Sequence, residues 1–240
     1  MDKEQIARRG FLARTTTLIG GLCFGTAMGL ESFAAAQDKG PSPLGNPKPE
    51  TRAPKPDQKD EWAPLFNGKD LSGWKPDGNA AWAVEQGCLV GKQGPNNAPG
   101  DLLTTEEFSD FELVVEYKIQ WPANSGVWFR YQAPDKAYQA DILEYKKPVA
   151  YSGTLYCPGK MFLAANTDPK IEKKDDWNTI KVRAQGDHLV ITLNDKVTAD
   201  VHDNSYAKGR IGFQIHPGDE FKDMKITVRK IVLRPLKAGG

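Results

Sequence analysis

Four side chains in the middle of the chain have the types and neighbours needed for proton transfer on a neutral, oxygen-rich molecule. Asp141 stands in the stretch 138–145, where alternation puts Gln139, Asp141 and Leu143 on one face and Tyr138, Ala140 and Ile142 on the other. A carboxylate there can act as a base, ligate a metal, or simply face solvent. Glu116 shares the polar face of the stretch 110–119 with Glu112 and Lys118, and serves either as an acid–base group opposite Arg130 or as a surface ion pair. Strict alternation gives Arg130 the same face as Trp128 and Gly126, which sets a guanidinium fork beside a flat indole. The fork suits an enolate or carbonyl oxygen, and the indole suits a sugar ring; the alternative for Arg130 is a structural salt bridge. Trp74, Trp82 and Trp177 are further stacking candidates, with Trp177 expected in the core.

The elements that must position these groups read as strands. In 110–119, Phe111, Leu113, Val115, Tyr117 and Ile119 occupy one face, and Glu112, Val114, Glu116 and Lys118 the other. Similar runs cover 83–90, 126–132, 138–145, 179–184, 189–193, 197–201, 209–215 and 225–233, with a further Leu-Leu-Thr-Thr strand at 102–105. Turn signals separate them, among them Asn67-Gly68, Gln86-Gly87, Gln185-Gly186-Asp187, Asn194-Asp195 and Pro217-Gly218. About ten short strands without intervening helices predict an all-β sandwich of two antiparallel sheets. One hairpin is expected across Asn194-Asp195. If one sheet curves, its outward concave face can hold an extended ligand, so the faces of 110–120 and 126–132 turned away from the core are where chemistry is sought.

The remaining composition narrows the function. In 240 residues, 32 Lys+Arg against 31 Asp+Glu leave a net charge of +1, too little to steer the chain to nucleic acid. His188, His202 and His216 form no local ligand motif, and the first two are expected in solvent at hairpin ends. Cys23, Cys88 and Cys157 contain no C-x-x-C pair, which excludes a structural zinc site of the usual spacing. Residues 1–36 read as a leader: Arg8-Arg9 followed by Phe11-Leu12, a softened apolar run, and Ala34-Ala35-Ala36 predict a twin-arginine-type export signal and a periplasmic or secreted protein. Its removal would equalise the basic and acidic residues and leave Cys88 and Cys157, either bridged or as two unrelated thiols. Residues 37–59 carry six prolines and read as a tether, and one domain follows over 60–236 with no second linker and no stable membrane span.

The order of motifs within that domain is specific. Leu65-Phe66-Asn67-Gly68-Lys69-Asp70-Leu71-Ser72-Gly73-Trp74 opens it. Asp110-Phe111-Glu112-Leu113, Asn124-Ser125-Gly126-Val127-Trp128-Phe129-Arg130, Tyr138-Gln139-Ala140-Asp141-Ile142, Gly153-Thr154-Leu155-Tyr156, Asp176-Trp177-Asn178 and Ile211-Gly212-Phe213-Gln214-Ile215-His216 follow. The chain resembles the 3-keto-disaccharide hydrolase, or 3-keto-glucoside 1,2-lyase/hydratase, domain family, first grouped as domain of unknown function 1080. The resemblance implies a concanavalin-like jelly roll, export, and a glycoside ligand whose ring carries a ketone at carbon 3. It implies cleavage by loss of the proton at carbon 2, elimination of the glycosidic oxygen and hydration, with a divalent metal as a possible helper and a sugar 3-dehydrogenase acting upstream.

The resemblance also adds residues. His216 matches the family's histidine after its "I-G-x-Q" strand and would act as acid, base or ligand, and Tyr156 matches a tyrosine that would donate to the ligand. Where other members carry "Y-E-x-Q-I", this chain has Tyr138-Gln139-Ala140-Asp141-Ile142, so a Glu role does not transfer to Gln139, which is left to bind a sugar hydroxyl. Asn124, with Ser125, either shapes a turn or touches substrate. Two other readings use the same sandwich: a non-catalytic carbohydrate-binding module, and an endoglucanase, whose paired catalytic carboxylates on one strand are not found here.

Overall fold

The computed structural model describes residues 61–237; the expected leader and tether lie outside the described residues. The strands run in the order β1 (Ala63–Pro64), β2 (Trp74–Gly78), β3 (Ala81–Glu85), β4 (Cys88–Lys92), β5 (Gly100–Thr104), β6 (Phe111–Ile119), β7 (Asn124–Ala133) and β8 (Lys136–Lys146). They continue with β9 (Val149–Cys157), β10 (Met161–Asn166), β11 (Asn178–Gln185), β12 (His188–Leu193), β13 (Lys196–His202), β14 (Arg210–Ile215) and β15 (Lys225–Pro235). Two single 3₁₀ turns interrupt them, and there is no α-helix among the described residues. All pairings are antiparallel. One sheet has the order β13-β12-β11-β6-β15-β4-β3 with β1 added to β15, and the other has the order β10-β9-β8-β7-β14-β5-β2.

The core lies between the two sheets. Phe111, Leu113, Val115, Tyr117, Ile180, Val182, Ile226 and Leu233 from the first meet Leu102, Val127, Phe129, Tyr138, Ile142, Ile211 and Phe213 from the second. Alternation decides which residues go there: in β6 every odd-numbered residue from Phe111 to Ile119 is buried, while Lys118 is exposed. Asn194 and Asp195, both in the left-handed region with φ of 47° and 63°, close the β12–β13 hairpin in the register the dipeptide predicts. The run 83–90 is two strands, because Gln86 and Gly87 are left-handed and reverse the chain. Strands β9 and β10 lie outside the predicted runs. β9 is buried on both faces over Ser152–Leu155, which removes the period of two. Cys88 and Cys157 are free thiols, one on each sheet.

Candidate functional site

Because neighbouring strands align residue by residue, the outer face of the β10–β2 sheet can be read in rows. Asp77 on β2 stands opposite Asp101 on β5, Asp101 opposite Gln214 on β14, Gln214 opposite Gly126 on β7, and Gly126 opposite Asp141 on β8. The adjacent row runs Lys75, Leu103, Gly212, Trp128, Gln139, Tyr156 and Phe162. Asn124 begins the next row, opposite Leu143, and its carbonyl accepts the His216 amide at 3.3 Å. Asp141, Gln139, Trp128, Tyr156, Asn124 and His216 therefore all belong to one face.

Close packing fixes the floor of that face. Gly126 has no side chain, and a Cβ there would stand 2.6 Å from Gln139, so the glycine makes the space into which Gln139 folds. The Gln139 amide donates to Gln214 Oε1 at 3.1 Å, a bridge across β7 between β8 and β14. Trp128 lies between Tyr131 and Tyr156, with ring centroids 5.7 and 6.5 Å away. Although they face outward from the sandwich, Asp141 is only 1% exposed, Gln139 2% and Trp128 4%. His216 is half-buried, its Nδ1 2.6 Å from the Pro217 carbonyl and its ring edge-on to Phe221. The loop carrying it is clamped by Gln93, whose amide donates to the carbonyls of His216 and Gly218 at 2.9 Å each.

Two predicted site residues lie elsewhere. Arg130 does not share a face with Trp128. Its φ of 49° falls in a register irregularity of β7, and the bulge breaks the period of two so that Tyr131 follows Trp128 outward. The Arg130 side chain is 1% exposed and donates to the carbonyls of Ser109, Gly186 and Tyr206 and to Asp110 Oδ1, at 2.8 to 3.1 Å. It is the structural ion pair, tying three loops at one end of the sandwich. Glu116 is on the outer face of the opposite sheet, where Arg229 donates to it at 2.8 Å and Lys230 lies 3.4 Å away. The Arg229 bond lowers its pKa against a smaller opposing effect of burial. It cannot face Arg130 or Asp141 through the core. Trp177 lies on that same outer face beneath Arg229, at 4.3 Å, and not in the core.

Sequence reasoning passed over Asp101 and Gln214. Gln214 was accessible through alternation with His216 on β14. Asp101 precedes the run Leu102–Thr104, and its neighbours become apparent only with the pairing of β2, β5 and β14. Trp128 Nε1 donates to Asp101 Oδ1 at 2.9 Å, across the strand whose opposing residue is Gly212. Burial pushes the Asp101 pKa up to about 7; the Trp128 bond opposes that rise and the nearby Asp77 carboxylate adds to it. A carboxyl group poised near neutrality among aromatic rings is a marker of a functional site. Among the described residues no three His, Cys, Asp or Glu side chains come together as a metal-ligand set. A closed site built from side chains alone, of the structural-zinc kind, therefore has no ligand set among the described residues. No helix among the described residues is long and apolar enough to cross a membrane.

The face carries aromatic rings, carboxylates and amides, the side-chain types that sites for sugars use. Residues 61–233 match the model of the 3-keto-alpha-glucoside-1,2-lyase-like domain, and the chain belongs to that family. A 3-keto-disaccharide hydrolase of Bacteroides thetaiotaomicron is 30% identical over 79 residues; the match covers 29% of this chain and about a quarter of that relative, 27%. Among solved structures, a candidate glycosyl hydrolase of Parabacteroides distasonis superposes with a TM-score of 0.57 at 21% identity, over 74% of this chain and 100% of the other. A carbohydrate-binding module of Bacillus subtilis gives 0.50 at 18%, over 70% and 99%. At these identities the two structures speak for the fold alone.

Proposed function

We propose that the chain cleaves 3-keto-glycosides by elimination and rehydration, a net hydrolysis. The observation that carries this reading is the cluster on β8, β7 and β14: a buried carboxylate, Asp141, beside two linked amides, Gln139 and Gln214, with Trp128 and Tyr156 alongside. A ketone at carbon 3 acidifies the hydrogen at carbon 2, so a carboxylate suffices as base. Asp141 takes that proton, the electron pair passes to the carbonyl as an enolate, and the amides of Gln139 and Gln214 donate to the enolate oxygen in place of the unavailable Arg130. As the enolate collapses, the carbon 1–oxygen bond breaks and the departing sugar oxygen takes a proton, for which His216 is the nearest imidazole on this face. Water then adds hydroxyl to carbon 1 and hydrogen to carbon 2.

The chemistry requires a prior oxidation at carbon 3, the reaction class of a sugar 3-dehydrogenase. Export through a twin-arginine leader would put both steps outside the cytoplasm; Arg8→Lys with Arg9→Lys should hold the protein in the cytoplasmic fraction. The decisive experiment is turnover of 3-keto-trehalose and 3-keto-cellobiose beside their unoxidised parents, with and without chelator, by the wild type and Asp141→Asn. Turnover of the keto sugars alone, lost in the variant and indifferent to chelator, supports elimination with Asp141 as base. Binding without turnover would favour a carbohydrate-binding module instead.

A further inference from the structure

The row that contains Asp141 does not end there. Asp101 lies on the same row three strands away, a separation of about 14 Å at the usual strand spacing. That is too far for both carboxylates to work on one pyranose ring, and it matches the span of two linked rings. The Asp101 end also has the features of a built subsite. One carboxyl oxygen is held by the Trp128 indole, which leaves the other to a ligand. Beside it, the Tyr131 ring is packed against Trp128 with its hydroxyl buried and without a hydrogen-bond partner. An orphaned buried hydroxyl carries an uncompensated loss of hydration, so it calls for an occupant, a sugar hydroxyl or a water bridging to one.

We propose that Asp101, with Tyr131 beside it, forms the subsite for the second sugar, the one that departs, and so sets a preference for disaccharides over glycosides with an apolar leaving group. This rests on the reading of Asp141 as the base that acts on the oxidised ring. The titratable and charged groups facing the subsite are Asp77 from β2, Tyr131 from β7, Asp135 from the β7–β8 turn, and Arg210 from β14, whose guanidinium lies 5.7 Å from the Tyr131 ring centre. Burial, followed by the charges of Asp101 and Asp77, drives the Tyr131 pKa well up, so its hydroxyl remains a donor. Asp101 in its acid form adds a second donor toward the ligand.

The test compares kcat/KM for 3-keto-trehalose with that for 4-nitrophenyl 3-keto-glucoside, whose leaving group has no hydroxyls to bind. In Asp101→Ala the ratio of the two should fall at least tenfold, mainly through KM of the disaccharide. Asp101→Asn, which keeps an oxygen for Trp128 and a donor for the sugar, should recover most of it. Should Asp101→Ala fail to fold, the wild type alone still decides: KM for the disaccharide should rise between pH 6 and 8 relative to that for the aryl glycoside. An unchanged ratio in a folded Asp101→Ala, or a flat relative KM across that range where the variant is lost, overturns the subsite and leaves the elimination reading intact. A wild type inactive on both substrates overturns that reading, and the subsite falls with it.

Discussion

The two outer faces of this sandwich are built by the same alternation and come out as opposites. On the β13–β3 sheet, Glu112 pairs with Arg234 and Arg183, Glu116 with Arg229 and Lys230, and Lys181 with Asp195, all partly or largely in water. On the β10–β2 sheet, strands β7 and β8 are buried on both sides over most of their length, and their outward polar groups are sheltered by one another and by tryptophan and tyrosine rings. Charges on the first face are screened and satisfied in pairs. On the second, burial pushes Asp101 toward neutrality and one bond orients the two amides, Gln139 donating to Gln214, in a sheltered surface where a carboxylate's protonation state counts for more than it does in water. Charge density is a poor guide to where chemistry lies here, and desolvation is a better one.

The contrast breaks most visibly at the two candidate bases. Asp141→Asn should lower kcat on 3-keto-trehalose by about a thousandfold, within the range expected for loss of a positioned base, while circular dichroism and the melting temperature stay near those of the wild type. A variant that keeps a tenth or more of the activity would remove Asp141 as the base. The next effect concerns stability. Arg130→Met leaves Asp110 without its buried partner and three carbonyls without donors, and should lower the urea-unfolding free energy by about 3–5 kcal/mol. Arg229→Met on the exposed face should cost about 1 kcal/mol or less. Comparable losses would mean that the two ion pairs are not as differently solvated as their surroundings indicate.

What the residues disclosed in advance, and what they did not, follows from the range of the forces involved. The faces of β6 and β8 were legible because side-chain alternation is local: Gln139 and Asp141 could be set on the face opposite Tyr138 and Ile142 without knowing what lay beside them. Arg130 was not, because one left-handed residue shifts the alternation, and only the network of Ser109, Asp110, Gly186 and Tyr206 shows what holds it there. Glu116 faced outward as expected. Its sheet, however, is decided by pairing with β11 and β15, some 60 and 110 residues later in the chain, and alternation is blind to that. Asp101 is the strongest case, since its raised pKa comes first from burial in the assembled sheet, and the groups that adjust it, a tryptophan that opposes the rise and an aspartate that adds to it, stand two strands away and on an edge strand.

That character sets a pH dependence the opposite face should lack. The Asp101 pKa is about 7 in the fold against 3.8 for a free carboxyl, so between those values the folded chain keeps a proton that the unfolded chain has lost. Folding takes up that proton. The stabilisation is fully present below about pH 4 and is lost as pH rises through 7, at a slope of at most about 1.4 kcal/mol per unit. Unfolding midpoints measured at pH 5 and 7 should show a steeper decline in the wild type than in Asp101→Asn, where only the smaller contribution of Glu172, also raised by burial, is left; equal slopes would mean that water reaches Asp101 and restores an ordinary carboxylate.

Glu116 should show the smallest effect and the reverse sign. Its pKa is held below the ordinary 4.5 chiefly by the Arg229 bond, so its contribution is present above that value and fades as pH falls through the lowered one. The pair is partly exposed and the carboxylate is screened, so Glu116→Gln should change stability at pH 7 by less than about 1 kcal/mol and leave kcat on 3-keto-trehalose within twofold. A tenfold loss of turnover in this variant would bring chemistry to the exposed face after all. The two faces would then be coupled through β6, whose outward side carries Glu116 and whose inward side, at Tyr117, donates to the half-buried Glu172 at 2.9 Å, which in turn accepts from Ser152 on β9. Tyr117→Phe would tell these apart, because a route through the core would lose activity with it and a purely local salt bridge would not.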